Sequence, residues 1–314
     1  MTKVFIDGSE GTTGLRIFER FAKRDDIELM KIDPELRKDP AERKRLINDS
    51  DITFLCLPDA ASIESVSLVE NPNVTIIDTS TAHRTLDGWA YGYPEISKGQ
   101  RDTIKNSKRI AVPGCYATGF ITNVYPLIAS GMMSPDYPVS SFAVSGYSGA
   151  GKKTIAVYEG DEKPDEFNSP REYALAQKHK HLKEMQKITG LTKTPLFSPI
   201  IADFYSGMFV SLPLYTDMLK KGASLETIHD IFAKHYEGEK FIKVMPLGAE
   251  DETNGFIGGN NCSGWDGLQI FVTGNEDRIV VTSRFDNLGK GASGAAIQCM
   301  NIVMGCDEAN GLNL

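Results

Sequence analysis

The sequence predicts an α/β protein: a doubly wound parallel sheet with helices on both faces, followed by a second unit built on an antiparallel sheet. Three features carry the prediction. Short apolar runs alternate with helical segments up to residue 112, a glycine-rich turn separates the first run from the first helix, and the texture changes at Cys115. Strands alternating with helices imply parallel pairing, and parallel strands are covered on both faces. At roughly 100–200 residues per domain, a chain of 314 residues suggests two domains.

The elements follow in order. Residues 3–7 form an apolar run, the first strand. Gly8-Ser9-Glu10-Gly11-Thr12-Thr13-Gly14 is a turn, and Leu15, Phe18, Phe21 and Ala22 then recur at helical spacing. Residues 27–32 are a second strand, which completes a βαβ unit. A charged helix over 40–48, a strand over 52–57 stopped by Pro58, a helix over 60–69 and strands over 74–78 and 108–112 continue the pattern. Beyond Cys115, the spacing predicts helices over 117–130, 172–189, 224–236 (with Ser224 as N-cap) and 292–306. Strands are expected over 139–145, 202–213 and 270–285, a glycine-rich loop over 146–151, and a polar excursion over 158–170.

Several classes are excluded. A formal net charge of −8, from 34 basic and 42 acidic residues, argues against a nucleic-acid partner, which needs a basic face. No apolar run reaches the ~18 residues that span a membrane, and the N-terminus lacks a signal-peptide pattern. The five cysteines, at 56, 115, 262, 299 and 306, are odd in number and include no CxxC pair. Neither a disulfide framework nor a zinc site is expected, and reduced thiols suit a cytoplasmic protein.

Gly8-x-x-Gly11-x-x-Gly14 suits a dinucleotide pyrophosphate. Glycine allows positive φ and close backbone approach, and the following helix presents unpaired N–H groups to phosphate. A tight turn with no ligand would use the same residues. Ser9, Thr12 and Thr13 join the glycines as expected cofactor contacts. At the end of the second strand, Asp33 fits the ribose hydroxyls of NAD, whereas Arg37 and Lys38 fit the 2′-phosphate of NADP. The basic pair favours NADP.

Cys115 lies in Pro113-Gly114-Cys115-Tyr116-Ala117-Thr118, between a strand end and a helix start. The positive end of a helix favours the nucleophilic thiolate, although a lone cysteine is most often a buried structural residue. Cys56, Cys299 and Cys306 suit that structural role, and Cys262 has no evident role. A thiol nucleophile needs a base. His179 and His181 are candidates, with His83 as a rival; on a regular helix the first two would point apart. Thr79-Ser80-Thr81-Ala82-His83-Arg84 and Ser145-Gly146-Tyr147-Ser148-Gly149-Ala150-Gly151-Lys152-Lys153 offer anion donors: Ser80, the Arg84 guanidinium, backbone N–H groups and Lys152.

Together with His179-Lys180-His181 and Asp286-Asn287-Leu288-Gly289-Lys290-Gly291, these motifs resemble those of N-acetyl-gamma-glutamyl-phosphate reductases of the shorter subtype, relatives of the aspartate-semialdehyde dehydrogenases. The resemblance spans nearly the whole chain. It implies a Rossmann domain, residues 1–114 and 287–314, and an α+β catalytic and dimerisation domain, residues 115–286. It implies NADPH-dependent reduction of an acyl phosphate to a semialdehyde in arginine biosynthesis, through a thioester on Cys115. It also implies Ser148, Gly149, Asn287 and Gly291 as cofactor contacts, with Arg84, Ser80 and Lys152 toward the substrate. His179 is the favoured base and His181 the alternative. A homodimer or homotetramer is the family habit. The family often has Pro-Glu-Ile/Leu soon after its paired histidines; this chain has Leu182-Lys183-Glu184-Met185. Two competing readings are an aspartate-semialdehyde dehydrogenase, whose cysteine context is Asn-Cys-x-x-Thr rather than Gly114-Cys115, and a non-catalytic dinucleotide sensor.

Overall fold

The computed structural model describes residues 1–314. They divide into two compact units, Met1–Gly114 with Ala292–Asn313, and Cys115–Gly291 with Leu314. The first unit opens with β1 (Thr2–Asp7), α1 (Thr12–Phe21), β2 (Ile27–Met30), α2 (Pro40–Asp49), β3 (Ile52–Leu55), α3 (Asp59–Ser67) and β4 (Thr75–Asp78). It continues with β5 (Ala90–Tyr91), α4 (Gln100–Asn106) and β6 (Arg109–Ala111). Its sheet runs β2-β1-β3-β4-β6-β5, and every pairing is parallel.

Both faces of this sheet are buried, which is why its strands are continuous apolar runs. Val4, Ile6, Phe54 and Ile77 pack with Ile17 and Phe21 of α1 on one face. Phe5, Leu55 and Ile76 pack with Leu46 and Ile47 of α2 on the other. The α2 helix starts where the sequence stops opposing it. Asp39 caps the N–H groups of Ala41 and Glu42 at 2.7 and 3.3 Å, and Pro40 fills the first position, where no N–H is needed.

The second unit contains α5 (Cys115–Ala129), β7 (Ser140–Gly146), α6 (Lys152–Glu159), β8 (Arg171–Glu172) and α7 (Leu182–Thr189). These are followed by β9 (Leu196–Ala202), β10 (Met208–Tyr215), α8 (Leu225–His235), β11 (Ile242–Val244), β12 (Leu268–Gly274) and β13 (Arg278–Phe285). The last helix, α9 (Gly294–Met304), follows a π-helical turn over Gly289–Ser293 and belongs to the first unit.

The second sheet runs β11-β12-β13-β10-β7-β9-β8. It is mixed rather than purely antiparallel, because β7 pairs β9 and β11 pairs β12 in parallel. The first of these pairs is joined by a long crossover through α6 and α7, as parallel strands require. The apolar α5 lies on this sheet, buried along nearly its whole length. It packs closely because Gly119 has no side chain: a Cβ there would lie 2.5 Å from Val210 and 2.8 Å from Ser283. Pro126 inside α5 has no N–H to give Thr122, and the freed carbonyl accepts a hydrogen bond from the Tyr236 hydroxyl at 3.0 Å.

Three predicted elements are corrected, the first being the strand expected over 270–285, which is an antiparallel pair, Leu268–Gly274 and Arg278–Phe285. The helix expected over 172–189 exists only over Leu182–Thr189. Ala174 and Gln177 both have φ of 54°, a left-handed conformation that interrupts a helix. The strand expected over 202–213 is two strands, split where Gly207 turns the chain at φ of 105°. The 146–151 loop contains a 3-10 turn over Tyr147–Ala150.

Candidate active site

In the first unit, the glycine turn is shaped by its first and last glycines. Gly8 sits at φ of 89°, and a Cβ on it would meet the Cys56 carbonyl oxygen at 2.5 Å. A Cβ on Gly14 would meet the Gly8 oxygen at 2.4 Å. Both glycines are therefore demanded by the turn itself. Gly11 is not: it has φ of −70°, and a Cβ there would meet nothing nearer than 3.4 Å. Its lack of a side chain leaves the entrance to α1 open. Gly11 caps α1 with no side-chain hydrogen bond, so no cap shields the first-turn N–H groups. Ser9, Thr12 and Thr13 stay partly exposed beside them. Below the turn, the Arg43 guanidinium and the Ser65 hydroxyl hold the buried Asp7 carboxylate at 3.1 and 2.8 Å. The turn thus fits a dinucleotide pyrophosphate.

Past β2, Arg37 and Lys38 are exposed. The Asp33 carboxylate accepts the Glu35 N–H at 2.9 Å, closing its own turn. The basic pair is thus left open to solvent, and Asp33 is engaged locally.

At the end of β4, Asp78 is fully buried. It accepts hydrogen bonds from the Ser62 hydroxyl at 3.0 Å, from the Ser80 N–H and hydroxyl at 2.9 and 2.6 Å, and lies 2.6 Å from His83 Nδ1. The His83 ring stacks on Trp89 at 4.1 Å. Arg84 donates to the carbonyls of Val112 and Thr79, both at 2.8 Å. Ser80 and Arg84, expected to contact substrate, are thus buried and tie the 79–84 loop to strand ends. His83 is committed to Asp78.

In the second unit, Cys115 is the first residue of α5 and is partly exposed. Three of the other four cysteines sit in packed surroundings. Burial pushes the Cys56 thiol up to about 12. Burial also raises Cys262, whose thiol lies 3.4 Å from Gln269 Oε1. Cys299 is fully buried, 3.5 Å from the Gly92 carbonyl.

The irregular segment before α7 brings both histidines together. Their ring centroids are 4.7 Å apart, and they lie 5.6 Å (His179) and 6.0 Å (His181) from the Tyr116 ring. Gln177 pins the segment: its side-chain amide donates to the Phe197 carbonyl and accepts the Phe197 N–H, each at 3.0 Å, as a paired strand would. His179 Nδ1 accepts the His181 backbone N–H at 3.2 Å, and its Nε2 lies 3.3 Å from the Tyr173 hydroxyl. Because Nδ1 accepts, the proton of the neutral ring sits on Nε2. Burial, with the Lys180 charge, holds His179 down at about 4. Burial drives Tyr173 well up, and the charge of Cys115 adds to it; its ring lies 6.4 Å from that of Tyr116.

A third set of loops meets the cysteine. A Cβ on Gly291 would come within 2.9 Å of the Cys115 Cβ. In the same loop Asn287 is buried; it accepts the Gly207 N–H at 2.8 Å and donates to the Ser148 hydroxyl at 2.9 Å. Asn287 and Ser148, expected as cofactor contacts, are thus joined to each other, with Gly149 packed against the Asn287 amide. Lys152 is exposed at the start of α6. Sequence reasoning missed Tyr173 and Gln177. They sit in a segment whose apparent helical spacing concealed an irregular path.

Two family models match the chain: the semialdehyde dehydrogenase NAD binding domain over residues 8–107, and the semialdehyde dehydrogenase dimerisation domain over residues 115–287. The chain is 46% identical to N-acetyl-gamma-glutamyl-phosphate reductase 2 of Nostoc sp., with 99% of each covered. It is 45% identical to the N-acetyl-gamma-glutamyl-phosphate reductase of Rhizobium meliloti, over 96% of this chain and 98% of that protein. Its fold is similar to aspartate semialdehyde dehydrogenase II of Vibrio cholerae, with a TM-score of 0.72 and 14% identity over 97% of this chain and 98% of that one.

Proposed function

The chain belongs to the N-acetyl-gamma-glutamyl-phosphate reductases of the semialdehyde dehydrogenase family, and on that premise we propose how its residues carry out the reaction. The enzyme reduces N-acetyl-L-glutamyl 5-phosphate to N-acetyl-L-glutamate 5-semialdehyde and phosphate, using NADPH, as a step of arginine biosynthesis. The observation that carries the site is Cys115 at the N-terminus of α5, with two histidines and Tyr173 gathered around the ring of Tyr116, the next residue.

The Cys115 thiolate attacks the acyl carbon. The positive end of α5 favours the thiolate, and the first-turn N–H groups of α5 stabilise the oxyanion that forms. The C–O bond to phosphate then breaks, leaving a thioester on Cys115. The Gly8–Gly14 turn, with Arg37 and Lys38 toward the 2′-phosphate, would hold NADPH, which when bound would supply the hydride that reduces the thioester to the aldehyde and frees the Cys115 thiolate.

We place the base at His181 rather than His179. The Nδ1 lone pair of His179 is taken by a backbone N–H, and its Nε2 carries the ring proton. His179 therefore has no lone pair to offer the thiol; it orients Tyr173 instead. His181 takes the thiol proton and gives it to the departing phosphate. Lys152 faces that phosphate, while Arg84 and Ser80 shape the first unit's loop without touching substrate.

The sheet face away from α5 carries Phe142, Val144, Phe209, Pro213 and Val280, all at least partly exposed. This apolar face suits a second copy of the chain, so the working form is a homo-oligomer assembled through it. No helix is long and apolar enough to cross a membrane, and a biosynthetic reductase of this kind works in the cytoplasm.

The test is the reverse reaction, followed at 340 nm with NADP⁺, phosphate and N-acetyl-L-glutamate 5-semialdehyde. Phosphate-dependent NADPH formation that is absent in Cys115→Ser and with aspartate semialdehyde is expected. Activity that survives Cys115→Ser would overturn the cysteine mechanism.

A further inference from the structure

The substrate carries a second anionic group, the α-carboxylate, at the far end of its carbon chain. Among the residues expected to take anions, Arg84 is committed to two backbone carbonyls. The second unit holds an arginine that is not so committed. Arg171 opens β8, and its guanidinium lies 3.4 Å from the centre of the Phe167 ring and 5.6 Å from that of Tyr158. Its Nη2 donates to the Tyr158 hydroxyl at 3.0 Å. Tyr158 is itself fixed by stacking on Tyr147 at 4.4 Å. Arg171 makes no ion pair, and its Nε is buried without a hydrogen-bond acceptor. An arginine held flat by aromatic rings, with donors unmet, is preorganised for a planar carboxylate.

The register of the sheet places this guanidinium on the reacting side. Arg171 pairs with Ile201, and Ile201 pairs with Ser145. Phe197, Pro199 and Ile201 alternate along β9 onto one face, and the Phe197 ring touches Tyr116, the residue after the nucleophile, at 5.3 Å. Tyr173 continues the β8 ladder through its N–H to the Pro199 carbonyl at 3.1 Å. Arg171 and Tyr173 therefore point to the same face, and Glu172 between them is exposed. Two residues along a strand is roughly 6–7 Å. Four carbon–carbon bonds separate the acyl carbon of the substrate from its α-carboxylate carbon, about 5 Å. Tyr116, next to the nucleophile, lies 6.4 Å from the Tyr173 ring, so a substrate with its acyl carbon at Cys115 and its chain running along β8 past Tyr173 brings its carboxylate toward Arg171.

We infer that Arg171 binds the α-carboxylate of the substrate, and so sets specificity for an N-acylated amino acid with a free carboxylate. This rests on the reductase reading for the identity of the chain that links the two ends.

N-acetyl-L-norvaline has the same five-carbon skeleton and no reactive terminus. Its protection of Cys115 against iodoacetamide, compared with that given by its α-amide, isolates the carboxylate contact without turnover. The wild type is expected to require roughly 10- to 100-fold less acid than amide for half protection, the range of a charge-assisted pair. Arg171→Met removes that preference, and Arg171→Lys, which keeps the charge, restores part of it. In the reverse assay, Arg171→Met raises KM for the semialdehyde with little change in kcat. An acid-over-amide preference unchanged in Arg171→Met, or absent in the wild type, would overturn the inference. An Arg171-dependent preference in an enzyme that does not oxidise the semialdehyde would sink the reductase reading and leave the carboxylate site standing.

Discussion

His179 shows how one hydrogen bond redirects a functional assignment. The paired histidines were visible in the sequence, and so was the need for a base. Which ring holds a usable lone pair was not visible, because that depends on a backbone N–H two residues away meeting Nδ1. The same ring makes a pH prediction. Its ordinary value is 6.5, and burial lowers it to about 4 in the folded protein. Between those values the unfolded chain binds a proton that the folded chain refuses. Residue 179 therefore costs stability as pH falls through that window, and the loss ends only below the folded value. Urea unfolding at pH 7 and pH 4.5 should show a smaller loss for His179→Asn than for the wild type. Parallel losses in the two proteins would contradict the burial account. Cys115 was legible for a different reason: a proline and a glycine before it, and a long apolar helix after it, fix it at a helix start.

The glycine turn separates two uses of one residue type. The sequence shows three glycines at equal spacing; only the structure shows that they do different work. Gly14→Ala drives a Cβ to 2.4 Å from the Gly8 oxygen, and this overpacking should cost about 1–3 kcal/mol of stability. Gly11→Ala meets nothing inside 3.4 Å, so its melting temperature should stay near the wild type. Its methyl group intrudes where the pyrophosphate approaches, and KM for NADPH should rise roughly tenfold or more. Thermal melts and cofactor titrations of both variants check the pair, and a Gly11→Ala enzyme with unchanged KM would remove the phosphate role of this position. The long strands and helices of the first unit were legible because both faces of the parallel sheet are buried, and composition alone marks such strands. Two-residue β5 and β8, and three-residue β11, carry too few residues to show a period. The segment over 173–181 misled because its spacing mimics a helix, while two left-handed residues and the Gln177 side chain hold it open.

On the proposed mechanism, the two units divide the task chemically: a turn for the cofactor phosphates in one, a nucleophile with its proton acceptor in the other. The alternation of strands and helices predicted the first unit, and the change of texture at Cys115 marked the second. The mixed order of the second sheet was hidden, because parallel pairing of β7 with β9 depends on a crossover that no local pattern announces. Beyond the units, the chemistry turns on one covalent species. Protein mixed with N-acetyl-L-glutamate 5-semialdehyde and NADP⁺ in the absence of phosphate, then quenched in acid and digested, should yield an acylated Cys115 peptide by mass spectrometry. That acyl group should vanish when phosphate is added before the quench. An enzyme that forms NADPH under these conditions with Cys115 unmodified, or with the acyl group on another residue, would contradict the thioester mechanism.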